Sequence, residues 1–235
     1  MTDGGGARQD NKIRWSRRLF RLSWLSDILL VVILLVGFWL RLTGITWGEG
    51  QFLHPDERFL VWVTADIQPV NTIGQYFDTA ASSLNPHNVG HRFFVYGTFP
   101  IFLTRYLVDV LLAGGGWEAI LVVGRSSSAI ADLLSVFVVF LIGRRLWNQW
   151  VGLLGAAFSA LAVLQIQQAH FYTSDSFATF FSILAVYFAV CLATIPPDLR
   201  PDEPTGNSAI RSGRWNHQLW LYGVGFGIAA GLAAA

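Results

Sequence analysis

Nine consecutive aliphatic residues, Ile28-Leu29-Leu30-Val31-Val32-Ile33-Leu34-Leu35-Val36, set the first limit on this chain. They form the centre of a segment, Asp27 to Leu42, long enough with its flanking aromatics to cross a bilayer. Inside hydrocarbon every backbone N–H and C=O must be paired within the segment, so a single apolar run becomes a helix. Five more such runs follow, at 93–113, 120–142, 151–165, 177–195 and 218–235. Only 13% of the residues are charged and 53% are hydrophobic, against about 25% charged in a soluble domain. The expectation is an all-α, polytopic transmembrane bundle.

Residues 1–26 form a basic tail: Arg8, Lys12, Arg14, Arg17, Arg18 and Arg21 outnumber Asp3 and Asp10. The glycine-rich start reads as disordered. No small-residue cleavage site follows the first run, so an uncleaved anchor with a cytoplasmic N-terminus is expected. Residues 27–235 then belong to the membrane domain, with a first extracytoplasmic loop at 43–92 and a polar loop at 196–216. The end, Gly231-Leu232-Ala233-Ala234-Ala235, lies inside an apolar run and reads as the close of an N-terminal portion of a longer protein. A net charge of +1 argues against a nucleic-acid partner. Cys191, the one cysteine, sits in an apolar run and reads as a small buried hydrophobe.

Crossing once per run creates a conflict. Asp56 would then lie outside and Asp175 inside, and Arg144-Arg145 would lie outside against the positive-inside rule. One run between residues 93 and 146 that fails to cross repairs both.

The chemistry concentrates in the first loop. In Phe52-Leu53-His54-Pro55-Asp56-Glu57-Arg58-Phe59, a proline followed by acids is a helix start. Phe59, Leu60, Trp62 and Val63 give that helix an apolar face, so it reads as amphipathic and interfacial; a second one is expected from about Thr72 to Ser83. Asp56 and Glu57 point about 100° apart on a helix. They suit a general base or a ligand for a hard divalent cation; the plainer alternative is acids decorating a helix N-terminus. His54, His87 and His91 share the loop, but their spacing fits no zinc signature. Asp175 stands at another helix start, as a second functional acid or an N-cap. Arg125, inside a span, must face protein or water and is a candidate phosphate partner. Arg92 and Tyr96, at the loop–membrane junction, could meet phosphate or sugar. Arg105 and Asp109 are spaced to pair on one helix face, and Arg41 is placed to snorkel outward.

Taken in order, several stretches resemble one family. His54-Pro55-Asp56-Glu57 after the first span is similar to the acidic motif of the GT-C superfamily of membrane glycosyltransferases, and more narrowly to family 39, the dolichyl-phosphate-mannose–protein mannosyltransferase group. Asn85-Pro86-His87 with Phe94 to Pro100, Gly124-Arg125-Ser126-Ser127-Ser128-Ala129, Gly143-Arg144-Arg145-Leu146-Trp147, and His170 to Phe181 resemble later segments of the same family. The resemblance implies a GT-C bundle that transfers a sugar from a polyprenyl-phosphate donor to a hydroxyl acceptor at the outer membrane face. It implies catalysis by Asp56 assisted by Glu57 and Asp175, with His54, Arg92, Tyr96 and Arg125 contacting substrate. Any divalent metal, Mg or Mn, would fall to Asp56 and Asp175. The competing readings are a transporter or flippase for lipid-linked substrates, which calls for paired discontinuous helices, and a non-catalytic membrane subunit.

Overall fold

A computed structural model of the chain describes the backbone of residues 6–195 and 217–235 and the side chains of 24–195 and 217–235. The first five residues, the side chains of the basic tail up to Ser23 and the polar loop 196–216 lie outside the described residues. Among those described the protein is all-helical. The helices are α1 (Gly6–Leu42), α2 (Pro55–Asp66), α3 (Ile73–Phe77), α4 (Thr98–Leu112), α5 (Trp117–Leu146), α6 (Gln149–Leu161), α7 (Val163–Ala169), α8 (Ser174–Ala193) and α9 (His217–Ala234), with a 3-10 turn at Pro86–Val89 between α3 and α4.

Three of these are long and apolar enough to cross a membrane: Trp24–Leu42 of α1, α5 and α8. The pair α6–α7, bent by 59° at Ala162, makes a fourth if taken as one broken span. The chain is therefore an integral membrane protein. Two expected runs fall short. α4 has 15 residues, about 22 Å at 1.5 Å per residue, less than a hydrocarbon core of about 30 Å. In α9, His217, Gln218 and interspersed glycines dilute the hydropathy.

Contacts fix which helix ends lie together. Ser26 donates to Gln149 Oε1 at 3.2 Å and Arg145 Nε to Thr194 Oγ1 at 2.8 Å. That groups the start of the α1 span, the end of α5, the start of α6 and the end of α8. At the opposite end, His170 after α7 meets the Thr43 carbonyl at 2.9 Å, and Arg125 near the start of α5 reaches the Ile45 carbonyl at 2.8 Å. So α1, α5, α6–α7 and α8 alternate in direction. α4 starts beside Tyr172, whose hydroxyl donates to the Pro100 carbonyl, and the chain re-enters α5 at the same end, where Trp117 meets Phe52 at 5.8 Å between ring centroids. α4 returns rather than crosses. Asp56 and Asp175 thereby share one end, and Arg144-Arg145 lie at the other.

Two apolar clusters hold the bundle. One joins α1, α5 and α6 through Leu30, Ile33, Val136, Phe140, Leu153 and Ala160. There α5 and α6 touch backbone to backbone: a Cβ on Gly143 would stand 2.7 Å from the Gly152 Cα, so small residues are what let these helices close. The other cluster lies under the first loop, where Leu60, Val61 and Val63 of α2 and Ile67 just after it are fully buried with Ile101, Val108, Ile120 and Tyr172. The apolar face of α2 thus turns onto α4 and α5, with Trp62 left exposed. The second loop helix is shorter than expected, stopping at Phe77.

Arg41 corrects its expectation. It is fully buried, with Nε 2.6 Å from Asp132 Oδ2. A counter-charge inside the protein outweighs an exit to the interface. Its other donors reach the carbonyls of Gly37, Ala160 and Ser159. The last two lie in the final turn of α6, where the break at Ala162 interrupts the helical ladder; Ser159 also accepts the Ala162 N–H.

Candidate functional site

Pro55 opens α2, and Asp56 and Glu57 occupy its first turn behind His54 at the N-cap. The turn between them sends the two acids opposite ways. Glu57 points inward and is fully buried. Both its oxygens meet Arg125 at 2.7 Å, from Nε and Nη2, and Oε1 also accepts the Tyr172 backbone N–H at 2.9 Å. The other Arg125 nitrogen, Nη1, donates to the carbonyls of Ile45 and Trp47 at 2.8 and 2.9 Å, and the guanidinium lies 4.7 Å from the Trp47 ring centre. A buried arginine with four of its five N–H donors taken by a bidentate carboxylate and two carbonyls presents no fork to a ligand. The expectations of phosphate contact for Arg125 and of direct chemistry for Glu57 do not fit this geometry. Together they tie the loop after α1, the start of α2, α5 and the approach to α8 into one frame.

Tyr172 completes the frame. It is fully buried, its hydroxyl shared between Thr64 and the Pro100 carbonyl. Its ring rests on Gly124, where an added Cβ would lie 2.4 Å from the ring. Glycine at 124 is what allows α5 to pass at that distance, one residue before Arg125.

Asp56 points the other way and stays partly accessible. Its Oδ1 accepts a 2.6 Å hydrogen bond from the Tyr96 hydroxyl; among the described residues Oδ2 accepts none. The hydrogen bond to Asp56, then burial, then the negative charges of Asp56 and Asp175 push the Tyr96 phenol up to about 12. The Asp175 charge is the smallest of these contributions. Asp175 is exposed in the first turn of α8; the N-cap position belongs to Thr173, so the capping alternative does not account for the acid. His54 packs at a tilt against Phe171 at 4.6 Å and keeps a buried Nδ1 without a partner among the described residues. Arg92 is exposed and takes part in no ion pair among the described residues. Arg105 and Asp109 pair at 2.5 Å as their spacing predicts.

The histidines do not converge: His91 pairs with Asp66 at 2.8 Å and His87 is exposed. No group of three or more His, Cys, Asp or Glu side chains among the described residues could hold a metal. Asp56 and Asp175 are hard oxygen donors. That suits Mg or Mn, which keep waters and need only one or two carboxylates beside substrate phosphates, and does not make a closed zinc site.

Fold and site define a class: an integral membrane helical protein that presents two carboxylates at one end of its bundle on a buried arginine–glutamate frame. Within that class, residues 119–232 match the family model described as dolichyl-phosphate-mannose-protein mannosyltransferase, in agreement with the GT-C, family 39-like resemblance, and the match supports a membrane glycosyltransferase. The matched stretch contains Arg125 and Asp175; Asp56 and Glu57 precede it. No curated protein and no solved structure matches the chain.

Proposed function

We propose that the protein transfers a sugar from a polyprenyl-phosphate donor to a hydroxyl acceptor, with Asp56 as the general base. The observation that carries this is the division of labour between neighbours. Glu57 is consumed in the frame, while Asp56 is held by one oxygen on Tyr96 with the other free. The acceptor hydroxyl gives its proton to Asp56 Oδ2 as its oxygen bonds to the anomeric carbon. The carbon–phosphate oxygen bond breaks in line, polyprenyl phosphate departs and the anomeric centre inverts. Phosphate is already a good leaving group, so the protein chiefly positions the reactants and neutralises charge. Asp175 flanks the reacting centre. Arg92, exposed on the segment that carries Tyr96, takes the phosphate role that Arg125 is too buried to fill, and His54 lines the wall. A divalent cation would be held by Asp56 and Asp175 and would supply charge neutralisation at the phosphate.

Sidedness follows from the same frame. The basic tail precedes the α1 end that lies beside Arg144-Arg145, and positive residues stay cytoplasmic, so the Asp56 end faces outward. Asp56→Asn is the test: membrane insertion persists while transfer of labelled sugar from a polyprenyl-phosphate donor falls by about 10²–10⁴, the range of one general base. Transfer at the wild-type rate would overturn the assignment.

A further inference from the structure

Residues 91–97 run back along α2 as an extended segment. Asp56, Phe59, Trp62 and Asp66 recur at helical spacing and form one stripe of that helix, on the side away from its buried Leu60 and Val61. The segment is fastened at both ends of the stripe. Tyr96 donates to Asp56 at one end, and His91 Nε2 meets Asp66 Oδ2 at 2.8 Å at the other. Between them Phe94 stacks on Phe59 at 6.2 Å, and His91 sits edge-on to both Phe59 and Trp62 at 6.1 and 5.8 Å. Phe93 and Val95 face away, 78% and 66% exposed. Apart from these ring contacts and the Tyr96–Asp56 bond, the His91–Asp66 pair is the polar link that keeps the start of the segment in register with α2.

We propose that His91 is a positioning residue, and that its clasp with Asp66 seats the 91–97 segment so that Tyr96 holds the Asp56 carboxylate in its working rotamer. A carboxylate free to rotate about its last torsion meets the acceptor hydroxyl in line only part of the time. The Tyr96 bond fixes which oxygen is offered, and His91 fixes Tyr96. This rests on Asp56 being the base, but the clasp itself can be read without any transfer.

Two measurements on the full chain in lipid nanodiscs test it. In the first, a nitroxide on Val95→Cys reports segment motion; Cys191 is fully buried and escapes labelling. His91→Phe keeps the ring contacts and removes the polar bond. The label is expected to change from immobilised to mobile with His91→Phe and with Asp66→Ala, and to stay immobilised with His91→Gln, which retains a donor. Asp66→Ala alters an exposed side chain and guards against a folding defect. An unchanged label in both would overturn the clasp, whatever the enzyme does. In the second, sugar transfer falls about tenfold in Tyr96→Phe, the scale of one charge-assisted hydrogen bond. His91→Phe falls equally, and the double variant no further, because His91 acts through Tyr96. Additive losses would overturn the positioning role. A wild-type chain that shows the clasp yet transfers nothing would count against the transferase reading and leave the clasp standing.

Discussion

Two buried arginines brace this bundle by different means. Arg125 meets Glu57 with both ends of its fork and adds two loop carbonyls and a tryptophan face, joining four separate parts of the chain at the site. Arg41 meets Asp132 through a single nitrogen and spends its remaining donors on carbonyls, two of them at the α6 break. Removing either charge from water is costly, and a paired charge in the interior gains back only what good geometry returns. The contrast separates two uses of one residue type. At Arg125 the ion pair organises irregular backbone around a functional acid. At Arg41 a cation closes the exposed end of a helix, with Asp132 as its counter-charge.

The difference can be broken open by mutation. Arg125→Ala leaves Glu57 buried and alone and frees two carbonyls; a loss of about 5 kcal/mol, the upper end for a broken buried pair, is expected in unfolding measurements in lipid–detergent micelles. Arg41→Ala should cost about 3 kcal/mol in the same assay, since its pair is single-bonded. Replacing both partners sharpens the point. Arg41→Met with Asp132→Leu should return to within about 1 kcal/mol of wild type, because apolar pairs substitute well for buried ions. Arg125→Met with Glu57→Leu should remain about 2 kcal/mol short, because the Tyr172 N–H and the Ile45 and Trp47 carbonyls lose their partners. Equal recovery of the two doubles would erase the distinction.

The smallest effect concerns the acid that stays outside the frame. Tyr96 titrates at about 12 in the folded protein and at 10 unfolded, so the folded state binds the extra proton between those values. Its contribution to stability is whole below pH 10 and is lost as the pH rises toward 12. The tyrosinate absorbance difference between wild type and Tyr96→Phe in metal-free buffer should show this late phenol, and Asp56→Asn should bring it down. A Tyr96 that titrates at 10 in the presence of Asp56 would remove the hydrogen bond from the site.

Much of the fold was legible because membrane helices announce themselves by length and hydropathy. The first, third and fifth runs are the three clear spans, and the conflict over Asp56 and Asp175 already pointed to a run before residue 146 that does not cross. α4 showed why: a 15-residue helix reads as a span only if its flanks are counted with it. In the site, Pro55-Asp56-Glu57 marked the helix start. No local pattern could say which acid turns inward, because that depends on an arginine 68 positions away. Arg41 and Asp132 were visible as charges in apolar runs, and a signal for them existed: two opposite charges stranded at membrane depth call for each other. Tyr172 and the His91–Asp66 clasp left no such mark, since a tyrosine among aromatics and a histidine in a polar loop look ordinary until the chain is folded.

The Glu57 carboxylate also sets an order of events in time. Its partners lie 68 and 115 residues later in the chain. At a synthesis rate of about 5–20 residues per second, Tyr172 emerges on the order of ten seconds after Glu57. Over that interval the first loop has been made but its anchor has not, so Glu57 stays hydrated until α5 arrives and the frame is sealed only when α8 begins. A nascent chain stopped before residue 125 would carry Asp56 on a helix whose neighbour still faces water, and its biogenesis would depend on whatever shelters that loop in the meantime.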